Sequence, residues 1–258
     1  MGEPQNILFE FDTDHGHFQV IDMIYDGRKA RVLFSGQQQA AQSGLALDDN
    51  PDLLFDYNQR LYELATGIRP KQMLIIGGGM FTLPAALIQD LPDVIIDVVE
   101  IDPGLVPVAK KHFGLQSDPR LRIIYDDGRH FLEKNQQQYD LIIIDAYTHD
   151  LADPSLGDET AVEFLARSLT AQGVVAANVI AAYFGRRAEP LRGLINRYDQ
   201  QFADVALFPA SQSLSLWLPQ NLVLVAQRNP ATAVDEQIRY RRLEPASPFD
   251  LHRDLRHL

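Results

Sequence analysis

The sequence contains no cysteine, which excludes disulfides, thiolate metal sites and a thiol nucleophile together. It has no apolar run approaching the roughly 18–20 residues of a membrane span. Its first five residues, Met1 to Gln5, carry neither the basic start nor the apolar stretch of a signal peptide. A cytoplasmic protein that does not enter the membrane is the expectation. Positive charge is also scarce. With 23 Lys and Arg against 35 Asp and Glu, the formal net charge is -12. Such a field repels phosphate backbones, so nucleic acid and anionic membranes are disfavoured as partners. A cationic partner suits it better, although the same charge also serves solubility. No internal repeat is present.

What remains is ordinary for a folded protein: 46% hydrophobic and 22% charged residues in a chain of 258. That length suits one principal domain with a small appendage. Residues 7–11, 17–22 and 30–34 are short strand-like runs separated by Asp14-His15-Gly16 and Asp26-Gly27, which predicts a small antiparallel β domain over residues 1–48. A polar stretch containing Gly36, Gln37, Gln38, Gln39 and Gly44 then leads to a helix start at Asn50-Pro51, and the helix runs to about Gly67. From Pro70 onward near-continuous apolar strands at 73–76, 94–99, 121–125, 141–144 and 174–179 alternate with helical stretches. This predicts an α/β domain over residues 49–230 with a doubly wound parallel sheet covered on both faces. Residues 214–218 and 221–225 are expected to pair antiparallel. The arginine-bearing tail, residues 231–258, is either packed on the surface or partly disordered.

Open α/β sheets hold ligands at the carboxyl ends of their strands, so the residues that follow each strand are the candidates. After the first come Gly77, Gly78 and Gly79, which let a ligand approach the backbone and expose the amides of a helix N-terminus. After the second come Glu100, Ile101 and Asp102. A carboxylate here accepts hydrogen bonds from ribose hydroxyls, the rival use being a cap on the next helix. After the third, Asp127-Gly128 offers an acceptor for an adenine amine, or else a helix cap. After the fourth, Asp145 stands at the mouth of the site, where partial burial raises a carboxylate toward use as a proton acceptor. Its alternative is a structural tie to backbone amides. Tyr147 and His149 are further groups able to accept or orient a proton. The histidine pairs at 15, 17 and 149 lie in separate segments, so no metal is expected. The serines lack a nucleophile-elbow pattern, so a hydrolase triad has no support.

Leu74 to Gly79, Val99-Glu100-Ile101-Asp102-Pro103, Asp127-Gly128 and Tyr139 to Asp145, in that order and spacing, resemble the spermidine synthase family, over roughly residues 19–225. The resemblance implies a class I methyltransferase-like domain behind a small N-terminal β domain. It also implies S-adenosylmethionine or its decarboxylated form as co-substrate, transfer of an aminopropyl or methyl group to a small-molecule acceptor such as a polyamine or other amine, and a homodimer. It carries Asp145 to the catalytic carboxylate, Tyr57 to a family tyrosine on the helix before the sheet, and Gln39 to a family glutamine near the nucleoside. The glycine turn, Glu100 and Asp127 become the nucleoside contacts.

The sequence departs from that family in three places. Met80 stands where an aspartate normally follows the glycines, Thr148 replaces a second acid, and Leu216 to Gln220 replaces a substrate-facing tyrosine stretch. A methionine there no longer repels the carboxylate of intact S-adenosylmethionine, so methyl transfer stands beside aminopropyl transfer. The rival readings are a nucleoside-binding module that has lost turnover and a nicotinamide-dependent oxidoreductase. Thr82 in place of a third spaced glycine, together with Asp127-Gly128, argues against the latter.

Overall fold

A computed structural model describes residues 6–36, 40–49, 53–148, 151–152, 156–211 and 216–229. The chain opens with an antiparallel meander of four strands, β1 (Asn6–Thr13), β2 (Gly16–Tyr25), β3 (Arg28–Ser35) and β4 (Ala40–Ala46), paired in that order. The β2–β3 turn is the two-residue Asp26-Gly27, with φ of 48° and 78°. Positive φ at both central residues gives a turn whose twist matches the flanking strands. Only three of these strands are legible in the sequence. β4, with its Ala, Gln, Ser and Gly content, lacks an alternating apolar pattern, and its pairing with β3 supplies what its side chains do not.

Helix α1 (Asp56–Ile68) follows, starting later than the sequence suggests, with Phe55 at its N-cap. Residues 50–52, where the sequence points to a helix start, lie outside the described residues. The α/β part then runs β5 (Gln72–Ile76), α2 (Thr82–Asp90), β6 (Ile95–Glu100), α3 (Leu105–His112), β7 (Leu121–Tyr125), α4 (Gly128–Lys134) and β8 (Tyr139–Ile144). Two short strands, β9 (Tyr147–Thr148) and β10 (Leu151–Ala152), pair with each other. The chain continues through α5 (Glu159–Arg167), β11 (Leu169–Ala181), α6 (Glu189–Asp199), β12 (Asp204–Pro209) and β13 (Gln220–Gln227).

The main sheet has seven strands in the order β12-β13-β11-β8-β5-β6-β7. From β7 through β11 neighbours are parallel, while β13 runs antiparallel to both β11 and β12. Here the sequence misleads. Residues 216–218 form a turn, not a strand, and β13 pairs with β12 and β11. The reason is burial. Leu222 to Ala226 are wholly enclosed between two strands, a better place for five consecutive apolar residues than a hairpin with Trp217 and Leu218, which are exposed. The tail from residue 230 lies outside the described residues.

Alternation along the strands divides the core. Met73, Ile75, Leu141, Ile143, Val174 and Ala176 face α1, α2, α3 and the N-terminal sheet. Leu74, Ile76, Ile142, Ile144, Val175 and Ala177 face α4, α5 and α6. This is the three-layered class I methyltransferase fold with a small antiparallel sheet added. The chain leaves β5 toward β6 and β7 and returns to the other side of β5 as β8, so a topological switch point opens between the carboxyl ends of β5 and β8. Among the described residues no helix is long and apolar enough to cross a membrane.

Candidate active site

A cavity of about 550 Å³ lies at that switch point, lined by the ends of β5, β6, β7 and β8, by α1, and by the N-terminal sheet. The glycine turn forms its floor. Gly77 (φ 95°) and Gly79 (φ 49°) occupy left-handed backbone conformations. A Cβ on Gly77 would meet the Asp145 carbonyl oxygen at 2.3 Å, so the turns after β5 and β8 touch and only glycine fits between them.

Glu100 is buried at the end of β6, and its carboxylate turns inward onto this turn. Oε2 accepts from the backbone N–H of Gly78 at 2.7 Å and of Gly79 at 3.1 Å, and Oε1 accepts from the N–H of Asp102 at 2.9 Å. Burial pushes its pKa up, and these amides pull the other way. Asp102, also buried, accepts from the Gly104 N–H at 2.9 Å and from the Thr13 hydroxyl at 2.6 Å. Ile101, between the two acids, is half exposed and lines the cavity.

Asp127 does what its rival reading requires: as N-cap of α4, its Oδ1 accepts from the His130 N–H at 2.9 Å. The same residue lines the cavity, so capping and ligand contact are compatible uses of its two oxygens. Gly128 has Ile76 against it, where a Cβ would come within 2.4 Å of Cγ2.

Asp145 keeps a little surface on the cavity while its carboxylate is enclosed by protein. Loss of hydration raises its pKa from an ordinary 3.8 to about 7, against the opposing pull of hydrogen bonds from Asn178 and Tyr57. The Asn178 amide donates to Oδ1 at 3.0 Å. Tyr57, buried on α1, reaches Asp145 from across the cavity and stacks on Phe55. Asn178 is a residue that sequence reasoning passes over. The available signal is a lone amide in the apolar run from Val174 to Val179.

Gly77, Gly78, Gly79, Glu100, Ile101, Asp127, Gly128, Asp145 and Tyr57 are therefore brought around one cavity. Tyr147 is placed by its backbone only, paired with Ala152 in the short ladder that follows Asp145. Gln39 and His149 lie outside the described residues. Met80 points into the core with 1% exposure, and its N–H donates to the Ser43 hydroxyl at 3.1 Å. Ser43 and Thr13 are contributions of the N-terminal sheet that no sequence motif announces. The charged residues among those lining the cavity are Glu100, Asp102, Asp126, Asp127 and Asp145, with His15 and His17 at the edge. Among the described residues that line it there is no Lys or Arg. No cluster of three metal-ligating groups occurs among the described residues.

Comparison with known proteins agrees with this fold. The profile of the "Spermine/spermidine synthase domain" matches residues 55–182. A polyamine aminopropyltransferase from Agathobacter rectalis is 34% identical over 150 residues, covering 50% of this chain and 52% of the relative. An eEF1A lysine and N-terminal methyltransferase from Bos taurus is 31% identical over 170 residues, covering 60% of this chain but 22% of the relative, so this chain spans only a part of the length of such relatives. The crystal structure of a probable spermidine synthase from Corynebacterium glutamicum superposes with a TM-score of 0.74 at 18% identity, over 93% of this chain and 91% of the other, which shows a shared fold. The α/β core of this chain, residues 55–182, thus resembles the spermine/spermidine synthase domain.

Proposed function

We propose that this chain is a transferase that moves an alkyl group from a sulfonium nucleoside, S-adenosylmethionine or its decarboxylated form, to the nitrogen of an amine. The observation that carries the reading is Asp145. Its carboxylate has a pKa near 7, is oriented by Asn178 and Tyr57, and stands beside the glycine turn of the cavity. An amine binds water-side as an ammonium ion and must lose a proton before it attacks. In the reaction the N–C bond forms as the C–S bond breaks, the electron pair stays on sulfur as a neutral thioether, and the proton passes to Asp145. Holding both reactants in line supplies the rest.

The surroundings support a cationic guest. Five carboxylates line the cavity, and none of the described lining residues is a Lys or Arg. The amides of Gly78 and Gly79, which a dinucleotide enzyme would direct at a pyrophosphate, are already committed to Glu100. That speaks against a nicotinamide enzyme. The Asp145–Asn178–Tyr57 arrangement favours turnover over a module that only binds nucleoside. On this reading the adenine amine meets Asp127 and the ribose meets Glu100. A homodimer in the cytoplasm is part of the same proposal.

Calorimetry with S-adenosylmethionine, its decarboxylated form, methylthioadenosine and NAD, on wild type and Glu100→Ala, tests it. Micromolar binding of a sulfonium nucleoside, weakened in the variant, is expected, and the preferred sulfonium assigns the group transferred. Preference for NAD, or release of neither methylthioadenosine nor S-adenosylhomocysteine with any di- or polyamine or lysine peptide, would overturn it.

A further inference from the structure

Two hydrogen bonds join the N-terminal sheet to the parts of the cavity that hold the glycine turn. At one end, β4 presents Ser43, 7% exposed, whose hydroxyl accepts the Met80 N–H at 3.1 Å. Met80 is itself buried, so without this hydroxyl its amide would be left unpaired in the core. The contact is close: a Cβ on Gly79 would come within 2.4 Å of the Ser43 Oγ. At the other end, β1 finishes at Thr13, whose hydroxyl donates to Asp102 Oδ2 at 2.6 Å and accepts the His15 N–H at 3.1 Å. The Thr13 methyl group packs where a Cβ on Gly104 would lie, 2.6 Å from that position.

Between these points the bonds are continuous. Asp102 donates its N–H to Glu100 Oε1, and Glu100 Oε2 accepts from Gly78 and Gly79, the residues that lead into Met80. Ser43, Met80, the glycine turn, Glu100, Asp102 and Thr13 thus form a ring that starts and ends in one antiparallel sheet. Polar groups joined in this way stiffen one another.

We infer that Ser43 and Thr13 are positioning residues for the nucleoside site: the four-stranded sheet fixes the glycine turn and the Glu100 carboxylate in the geometry that receives the ribose. The inference rests on the sulfonium-nucleoside reading given above and deepens it. Loss of either hydroxyl frees the turn, and the cost falls on ligand affinity while Asp145 and its two donors are untouched.

The test uses the full chain and methylthioadenosine as probe. Ser43→Ala and Thr13→Val are each expected to raise Kd by about fivefold to tenfold, the value of one hydrogen bond. KM for the sulfonium substrate should rise in step, kcat should change by less than about twofold, and Ser43→Thr should restore binding. Hydrogen exchange at the Met80 amide should accelerate in Ser43→Ala. If Ser43→Ala fails to fold, Thr13→Val, at the end of a strand, carries the measurement. Glu100→Ala separates the two readings. If it abolishes binding while the Ser43 and Thr13 variants keep Kd within about twofold, the ring proposal is wrong and the site stands. If Glu100→Ala binds as wild type does, the nucleoside site itself is wrong. A loss confined to kcat would also overturn the positioning role.

Discussion

Glu100 ends one of the strands that flank β5 and Asp145 follows the other, and both carboxylates are deprived of water at the same cavity. They are not equivalent. Glu100 accepts from three backbone amides, two of them in the glycine turn. Asp145 is held by side chains, the amide of Asn178 and the hydroxyl of Tyr57, and rises to about 7. Backbone amides are fixed by the fold and cannot turn away, so they make a carboxylate an anchor. Side-chain donors compensate burial only in part and leave an acid that exchanges its proton near neutrality. On the proposed function, the same residue chemistry at two strand ends gives one anchor for the glycine turn and one proton acceptor.

The sharpest way to break this contrast is Asp145→Asn. It should lower the transfer rate by about a hundredfold to ten-thousandfold, the usual value of a positioned base, with nucleoside Kd nearly unchanged. Retention of more than about a tenth of the rate in single-turnover assays would remove Asp145 from the chemistry. Glu100→Gln should do the reverse. Its amide group cannot accept as the two oxygens do, the turn loosens, and methylthioadenosine binding should fall by about tenfold or more while the bound substrate still reacts. Equal losses in both parameters would show that the two acids share a role.

Smaller effects sharpen the comparison through pH. Asp145 must be ionised to take a proton, so the rate should rise with pH and level off above about 7. Stability runs the other way. The folded pKa lies above the ordinary 3.8, so the folded chain binds the proton more tightly, and the stabilisation present at low pH is lost as pH rises from about 4 to about 7. Chemical denaturation across that interval should show a steeper slope in wild type than in Asp145→Asn, where only the remaining shifted groups such as Glu100 contribute. Asn178→Ala and Tyr57→Phe each remove a donor that lowers the Asp145 pKa, so both should move the pH–rate limb to higher pH, Asn178→Ala further. A shift toward acid in either variant would contradict the assigned hydrogen bonds.

Much of this site was readable before any coordinates. A parallel strand buried on both faces must be apolar at nearly every position, so β5, β6 and β8 announce themselves, and the first polar residues after each are the ones at the cavity. The unreadable parts depend on contacts between distant segments. Nothing local marks β4. Its Gly44 is needed because Leu54 lies where a Cβ would come within 2.3 Å, and its Ser43 is needed because Met80 presents a buried amide. The last strands failed for a related reason. Residues 205–208, 214–218 and 221–225 are similarly apolar, and only the open place beside β11 decides that β13 inserts there and β12 pairs outside it. Asn178 was in plain view, but an amide in an apolar strand declares a partner without naming it.

The lining of the cavity has a consequence for what the protein ignores. Cells hold adenosine mostly in phosphorylated forms, and each phosphate adds negative charge to the same base and ribose that this cavity would recognise. On the proposed function, five carboxylates and the absence of Lys or Arg among its described lining residues make the cavity less favourable to such nucleotides than to a sulfonium nucleoside. Discrimination against abundant competitors would then begin with the sign of the wall.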